Sequence, residues 1–181
     1  QVDLYELNKS TLQFDFKKTI IKDFESVDTT VVFYNNLFWL FLSQRKDSNT
    51  KLFLFFSNAL DGPYSPHSNN PVKMNIRNSR PGGTPYMIDE DLYRPAQDSS
   101  RTYGGAISIN KITRLSEFSF NEENLYYITP DDHSKYTKGI HTISSIGELT
   151  LIDGKHHTFV WKHFYYKLKE KISRIKPIYD K

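Results

Sequence analysis

The fold that the sequence predicts is decided by residues 29–43, TTVVFYNNLFWLFLS. The first six residues are β-branched or aromatic, Asn35-Asn36 is typical of a two-residue hairpin turn, and an apolar run returns over residues 37–42. A polar loop over residues 44–50 and a third apolar run over residues 51–57 extend the hairpin into a three-stranded meander. The second and third runs are apolar on both faces, which favours strands packed between neighbouring sheets.

The same order of strand, turn and strand recurs over residues 85–112 and again from residue 139. With Asp28, Arg80 and His141 as equivalent first residues, the units lie 52 and 61 residues apart, which suits the roughly 40–50 residues of a propeller blade with inserted loops. In a propeller the sheets pack face to face and the first strand of each blade faces a central channel. The sequence therefore predicts an all-β fold, a partial β-propeller of about three blades. A β-sandwich of antiparallel meanders stays open as the alternative.

Length and composition narrow the classes of protein. A chain of 181 residues is the size of one ordinary domain, and its 15% aromatic content excludes a disordered chain. Its longest apolar run is far shorter than the ~20 residues of a membrane-spanning helix. A net charge of +3 argues against a dedicated nucleic-acid binder, and the lack of cysteine excludes disulfides and thiolate metal sites. No cofactor or metal motif is present, so we expect neither a cofactor nor a metal.

The end of the chain has a different period. Apolar residues from Trp161 to Ile175 fall on one stripe of a 3.6-residue helix, basic residues occupy the rest, and Pro177 ends the segment. The sequence thus predicts propeller blades over residues 1–158 and a basic amphipathic helix with its tail over residues 159–181. This helix packs against the blades or lies on an anionic membrane surface.

Two Arg-Pro pairs stand in the densest polar segments, residues 79–83 and residues 93–98. The planar fork of an arginine suits carboxylates, phosphates and paired sugar hydroxyls. We expect Arg80 and Arg94 to be such ligand-binding groups, with Arg94 in an ion pair to Asp98 as the structural alternative.

Three further polar positions are candidates for chemistry. Asp28 opens a strand, where it accepts hydroxyl groups, acts as a general base or caps a turn. His141 opens another strand, where it binds substrate, moves a proton or makes a structural hydrogen bond. Of the adjacent pair Glu122-Glu123, one is a candidate general acid, and the alternative is that both are solvated.

Several ordered motifs together resemble the N-terminal domain of glucosamine inositolphosphorylceramide transferases and of their bacterial relatives in surface-glycan synthesis. The resemblance runs from about Val2 to Asp153. The segments that carry it are Asp28-Thr29-Thr30, Trp39-Leu40-Phe41, Gly62-Pro63-Tyr64-Ser65-Pro66-His67, Asn70-Pro71-Val72, Ser79-Arg80-Pro81-Gly82-Gly83, Tyr93-Arg94-Pro95-Ala96-Gln97-Asp98, Tyr103-Gly104 and Gly139-Ile140-His141-Thr142.

The resemblance implies a five-bladed propeller related to family 43 glycoside hydrolases, with only the C-terminal half of that domain present. It also implies a sugar-handling central funnel, lined by Asp28, Arg80, Arg94, Asp98 and His141. Gly83-Thr84 departs from the usual Gly-Arg of the family, which removes one expected cation.

Three functions follow as hypotheses. The first is a carbohydrate-recognition module of a glycan-building enzyme, with substrate bound by Arg80, Arg94, Gln97, Tyr103 and His141. The second is a glycosidase-like or glycosyl-transferring enzyme that uses Asp28 and Asp98 as catalytic carboxylates. The third is a structural scaffold at a membrane surface.

The expected partners are a sugar or sugar phosphate and whatever completes the ring, either a missing N-terminal half or another domain or chain. Peripheral membrane contact through the C-terminal helix is a further expectation, and nucleic acid is not expected. Richness in Lys, Asn, Tyr and Phe suggests an AT-rich genome, and the expected location is the bacterial cytoplasm.

Overall fold

The computed structural model describes residues 1–156, 165–166 and 169–171. Over residues 1–156 the protein is built from thirteen β-strands and one short 3-10 helix, Arg45–Asp47. The strands are β1 (Val2–Asn8), β2 (Gln13–Ile21), β3 (Ser26–Tyr34), β4 (Leu37–Gln44), β5 (Lys51–Ser57), β6 (Ser65–Pro66), β7 (Lys73–Met74), β8 (Tyr86–Ile88), β9 (Asp91–Asp98), β10 (Ala106–Ser116), β11 (Ser119–Ile128), β12 (Gly139–Ile146) and β13 (Leu149–Lys155).

The strands form four successive antiparallel sheets. Strands β1 and β2 make a hairpin, β3-β4-β5-β6 form a second sheet with β7 paired to β5, β8-β9-β10-β11 form a third, and β12-β13 make a second hairpin. Both Asn35 and Asn36 have positive φ angles of 50° and 61°, as a type I′ turn requires between β3 and β4. The prediction of an all-β fold of successive sheets in the manner of a partial propeller is confirmed.

Each sheet buries apolar side chains against the next sheet along the chain. Ile21 of β2 packs on Leu40 and Leu42 of β4. The opposite face of the second sheet, with Trp39, Phe41, Leu52 and Leu54, packs on Leu92, Ile112 and Leu115 of the third sheet. Ile107 and Ile109 of β10 then pack on Ile140 of β12. Strands β4 and β5 are thus buried on both faces, as their continuous apolar runs predict.

The predicted C-terminal helix lies mostly outside the described residues. Residues 165–166 and 169–171 are helical, and the proposed boundary between residues 158 and 159 falls outside the described part of the chain. Among the described residues, the search for a helix with the length and hydropathy needed to cross a membrane finds none.

Candidate functional site

Asp28, Arg80 and His141, which open the three sequence units, come together at one end of the sheets. Asp28 has a φ of 53° and lies where the pairing of β3 with β4 shifts register between Val27 and Thr30. His141 lies at a similar register shift of β12, between Ile140 and Ile143. Such β-bulges re-aim side chains, and an aspartate tolerates the left-handed backbone better than most residues. At these irregular pairings Asp28 contacts Arg80 and His141 contacts Tyr103.

Arg80 is the centre of this arrangement. Its Nε donates to Asp28 Oδ2 at 2.5 Å, and its Nη1 donates to Ser48 Oγ at 3.0 Å and to Asn49 Oδ1 at 2.9 Å. The guanidinium carbon lies 4.8 Å from the ring centroid of Tyr103, within the range of a cation–π contact. The guanidinium group is thus held by contacts with the second sheet and its β4–β5 loop and by a contact with the β9–β10 loop.

A chain of hydrogen bonds continues from Tyr103 into the last hairpin. The Tyr103 hydroxyl lies 2.7 Å from His141 Nε2, and His141 Nδ1 lies 2.7 Å from Asp153 Oδ2. Asp153 Oδ1 also accepts the backbone N–H groups of His141 at 2.8 Å and Thr142 at 2.6 Å. Each residue in this chain therefore fixes the next.

The protonation of this chain follows from Asp153. Partial burial acts to raise the pKa of this carboxyl, but hydrogen bonds from the Thr142 N–H and from His141 outweigh burial and lower it. Asp153 is therefore a carboxylate at neutral pH and accepts the Nδ1–H of His141. In the neutral imidazole, this contact leaves His141 Nε2 as the acceptor for the hydroxyl of Tyr103.

Gln97 ties the third sheet to the same site. Its Nε2 donates to Asp28 Oδ2 at 3.1 Å and to the carbonyl of Pro81 at 2.8 Å. We call the group of Asp28, Arg80, Gln97, Tyr103, His141 and Asp153 the strand-start cluster. The side chains of Asp28 and His141 are 33% and 32% exposed, so polar groups of a ligand can reach them from solvent.

Arg94 is not in the strand-start cluster. Its side chain is fully buried, and its Nε and Nη2 donate to the two carboxylate oxygens of Glu122 at 2.7 and 2.6 Å. Its Nη2 also donates to the Asn78 carbonyl at 2.5 Å, two residues before Arg80. The expected role of Arg94 in binding substrate is thereby corrected, because a buried guanidinium beneath the Arg80 loop holds that loop and cannot touch a ligand.

Glu122 is the partner of Arg94, in place of the expected Asp98. Lys73 Nζ lies 2.6 Å from the same carboxylate. Burial acts to raise the pKa of Glu122, but the charges and hydrogen bonds of Arg94 and Lys73 outweigh it and hold the pKa below its usual range. Glu122 is therefore ionised at neutral pH and does not fit the general acid for which the pair Glu122-Glu123 is a sequence candidate.

Asp98 is not brought together with Asp28. Successive side chains of a strand point to opposite faces, so the contact of Gln97 with Asp28 turns Asp98 away from the cluster. Asp98 Oδ1 accepts the backbone N–H of Ser100 at 2.8 Å, and the residue lines a separate cleft. The structure therefore gives no support for a pair of Asp28 and Asp98, and a catalytic role of either carboxylate stays a prediction.

Sequence reasoning missed three residues that complete the site. Ser48 and Asn49 lie in the polar loop after β4, and Asp153 follows the apolar alternation of β13. Asp153 could have been found, because it is a carboxylate in the strand that pairs with the strand of the candidate His141. Nothing in the sequence distinguishes Ser48 and Asn49 from other loop residues. Among the described residues, no group of three potential ligands is placed to hold a metal ion.

Replacement of Tyr103 by phenylalanine tests the hydrogen-bond chain. We expect the ¹⁵N shift of His141 Nε2 to move toward that of an imidazole nitrogen without a donor, while Nδ1 stays protonated against Asp153. The free energy of unfolding should fall by about 1 kcal/mol or less, because a partly exposed hydrogen bond is lost. Tyr5→Phe, in the half-exposed face of β1, is the control and should leave both nitrogens unchanged. An unchanged Nε2 in Tyr103→Phe would contradict the assignment.

Comparison with known proteins identifies relatives of this domain. The family model described as "Glucosamine inositolphosphorylceramide transferase 1, N-terminal" matches residues 1–151. A rice protein (Oryza sativa subsp. japonica) named glucosamine inositolphosphorylceramide transferase 1 is 33% identical over 128 residues, which cover 67% of this chain and 17% of the rice protein. The Arabidopsis thaliana protein of the same name is 31% identical over 128 residues, with the same coverage. The chain thus spans about a sixth of the length of these curated relatives.

Among solved structures, the protein is similar to a family 43 β-xylosidase/α-arabinofuranosidase from a compost microbial metagenome, crystallised with xylotriose in a calcium-free form. The TM-score is 0.38 and the sequence identity is 12%, and the match covers 67% of this chain and 38% of the other.

These relatives correct two expectations. The location in a bacterial cytoplasm is wrong, because the curated relatives are plant transferases. The expectation of a bacterial relative that holds only the C-terminal half of the domain is also corrected, because the model of the N-terminal domain matches residues 1–151 and the relatives are from plants. The chain belongs to the family of the N-terminal domain of glucosamine inositolphosphorylceramide transferase 1.

Proposed function

We propose that this domain is a carbohydrate-recognition module of a glycan-building enzyme that acts in glycolipid synthesis. The observation that carries the proposal is the strand-start cluster, in which three β-units contribute hydrogen-bonding side chains to one solvent-accessible site. The relatives carry the name glucosamine inositolphosphorylceramide transferase 1, and this name supports the glycolipid context.

The hydrogen-bonding groups of the cluster that a ligand can reach suit sugar hydroxyl or amino groups. Within the described residues, Asp28 accepts its protein hydrogen bonds through Oδ2 alone, so Oδ1 is available to accept from a ligand. Tyr103 is 47% exposed and offers both a hydroxyl and a ring edge. Because Arg80 is held by four side chains, a ligand meets donors and acceptors that are already in place, and little conformational entropy is lost on binding.

The geometry favours recognition over hydrolysis. A glycosidase needs a protonated carboxyl group as general acid and a second carboxylate at about 5 Å or about 6.5–9.5 Å from it. The lowered pKa values of Asp153 and Glu122 leave both without a proton at neutral pH, and Asp98 faces away from Asp28. The site therefore supports binding of a sugar by the domain, with bond formation elsewhere in the enzyme.

Calorimetric titration with glucosamine, N-acetylglucosamine and xylose tests this function. We expect glucosamine to bind at millimolar concentration or below, and Arg80→Gln to weaken binding about tenfold, the factor that a loss of roughly 1.4 kcal/mol produces. Arg114→Gln, at an exposed arginine of β10 outside the cluster, removes the same charge and should leave binding unchanged. The proposal fails if none of the three sugars binds, or if the two variants lose affinity equally.

A further inference from the structure

A cleft opens beside the β9–β10 loop, and none of the residues that line it belongs to the strand-start cluster. Its volume is about 580 Å³, within the range of about 300–1,000 Å³ that is usual for small-molecule sites. The loop after β7, the β9–β10 loop, the end of β11 and the segment before β12 form its walls. This is the cleft that Asp98 lines.

Three cations line this cleft, and none of them has a carboxylate partner in the part of the chain that the structure describes. Arg77, Arg101 and Lys138 form no ion pair within 4.0 Å among the described residues, although Asp98 and Asp132 line the same cleft. Cations outnumber carboxylates in the lining of this cleft by three to two, and cations without an ion-pair partner favour a bound anion. The two guanidinium groups also have the fork of donors that matches phosphoryl oxygens.

The remaining polar groups of the cleft select for hydroxyls on the same ligand. Among the described residues, Asp98 accepts a hydrogen bond only at Oδ1, from the Ser100 N–H, so its Oδ2 is available as an acceptor, as is the carboxylate of Asp132. These acceptors would oppose a bare anion but favour a ligand that carries hydroxyl groups beside its charge. Tyr127 in the wall is 37% exposed and adds an apolar surface for a ring.

We propose that this cleft is a second binding site, which takes a phosphorylated polyol such as a sugar phosphate. Arg77, Arg101 and Lys138 bind the phosphoryl group, and Asp98 and Asp132 accept its hydroxyls. The site is separate from the strand-start cluster, but the two share a wall, since Thr102 and Gly105 line the cleft and Tyr103 belongs to the cluster. Lys155 Nζ fixes this wall through the Thr102 hydroxyl at 3.2 Å and the Tyr103 carbonyl at 2.8 Å.

Titration of the full chain with glucose 6-phosphate, glucose and inorganic phosphate, each alone, tests the proposal. We expect glucose 6-phosphate to bind more tightly than either of the other two, because it meets both sets of groups. Arg77→Gln and Arg101→Gln should each weaken its binding about tenfold, whereas Arg114→Gln, which lies outside both sites, should have little effect. Arg77 and Arg101 are not part of the strand-start cluster, so their effect tests the cleft separately from the proposed function.

Two results would overturn the proposal. One is equal affinity for glucose 6-phosphate and inorganic phosphate. The other is an equal loss of affinity in Arg101→Gln and Arg114→Gln, which would indicate general attraction to a basic surface.

A vesicle experiment distinguishes the two sources of such a ligand. Flotation with phosphatidylinositol vesicles that Arg101→Gln abolishes, and that phosphatidylcholine vesicles do not support, would assign the phosphorylated polyol to a lipid headgroup. Binding of glucose 6-phosphate without flotation would support the site and assign it to a soluble ligand.

Discussion

Replacement of Arg94 by leucine is expected to destabilise the domain by about 3–5 kcal/mol, the usual cost of breaking a buried ion pair. The substitution leaves the Glu122 carboxylate, whose side chain is 2% exposed, with Lys73 as its remaining cation. It also removes the donors to the carbonyls of Asn78 and Ser79, which precede Arg80 in the chain. Urea unfolding followed by circular dichroism measures the loss, and the midpoint of thermal unfolding should fall by roughly 10 °C.

Two variants serve as controls for Arg94→Leu. Arg114→Leu makes the same substitution at an exposed position of the neighbouring strand and should change stability by at most about 0.5 kcal/mol. The double variant Arg94→Leu/Glu122→Leu removes both buried charges and should recover most of the lost stability, because Lys73 is 19% exposed and can reach water. If Arg94→Leu is no less stable than Arg114→Leu, the buried ion pair of Arg94 and Glu122 does not stabilise the fold.

Gly83→Ala is expected to cost about 3 kcal/mol or more, because the added Cβ overlaps a neighbouring strand and strains the backbone. Gly83 has a φ of 153°, and a Cβ there would overlap the backbone carbonyl oxygen of Ile143 in β12. The adjacent Gly82 carbonyl accepts the N–H of Ile143 at 2.9 Å, so the overlap falls where the last hairpin joins the third sheet. We therefore expect loss of stability together with loss of the contact between Tyr103 and His141.

Gly147→Ala separates these two costs. Gly147 has a φ of 58°, and an added Cβ meets no heavy atom within 4 Å, so only the backbone cost of about 1 kcal/mol remains. Urea unfolding gives the two stabilities, and the ¹⁵N shifts of His141 report its contact with Tyr103. Equal stabilities for the two variants, with His141 unperturbed in both, would contradict a close junction at Gly83.

The sequence predicts the strands that are buried between sheets better than it predicts the exposed ones. The runs that become β4 and β5 are recognisable because both of their faces are apolar, and the Asn35-Asn36 turn fixes their hairpin with β3. The β1–β2 hairpin and β11 expose most of their side chains, so their mixed residues give neither a clear alternation nor an apolar run. Their pairing depends on neighbouring strands that local sequence does not specify.

The repeated sequence pattern predicts the residues that open each strand of the site, but it does not predict the partners of the charged groups. Asp28, Arg80 and His141 occupy equivalent places in three units, so a radial arrangement brings them together. The partner of Arg94 depends on register, because β10 pairs with both β9 and β11 and places Glu122 opposite Ile112. Asp98 lies apart from Asp28 for a simpler reason: as the neighbour of Gln97 in one strand it faces the other way.

Chemical-shift mapping of the ¹⁵N-labelled chain during titration with glucosamine tests the central claim most directly, that three β-units form one carbohydrate site. The account predicts concerted shifts, with a single affinity, at Asp28, Arg80, Gln97, Tyr103 and His141. Shifts confined to one unit, or shifts that fit different affinities for Asp28 and His141, would contradict it.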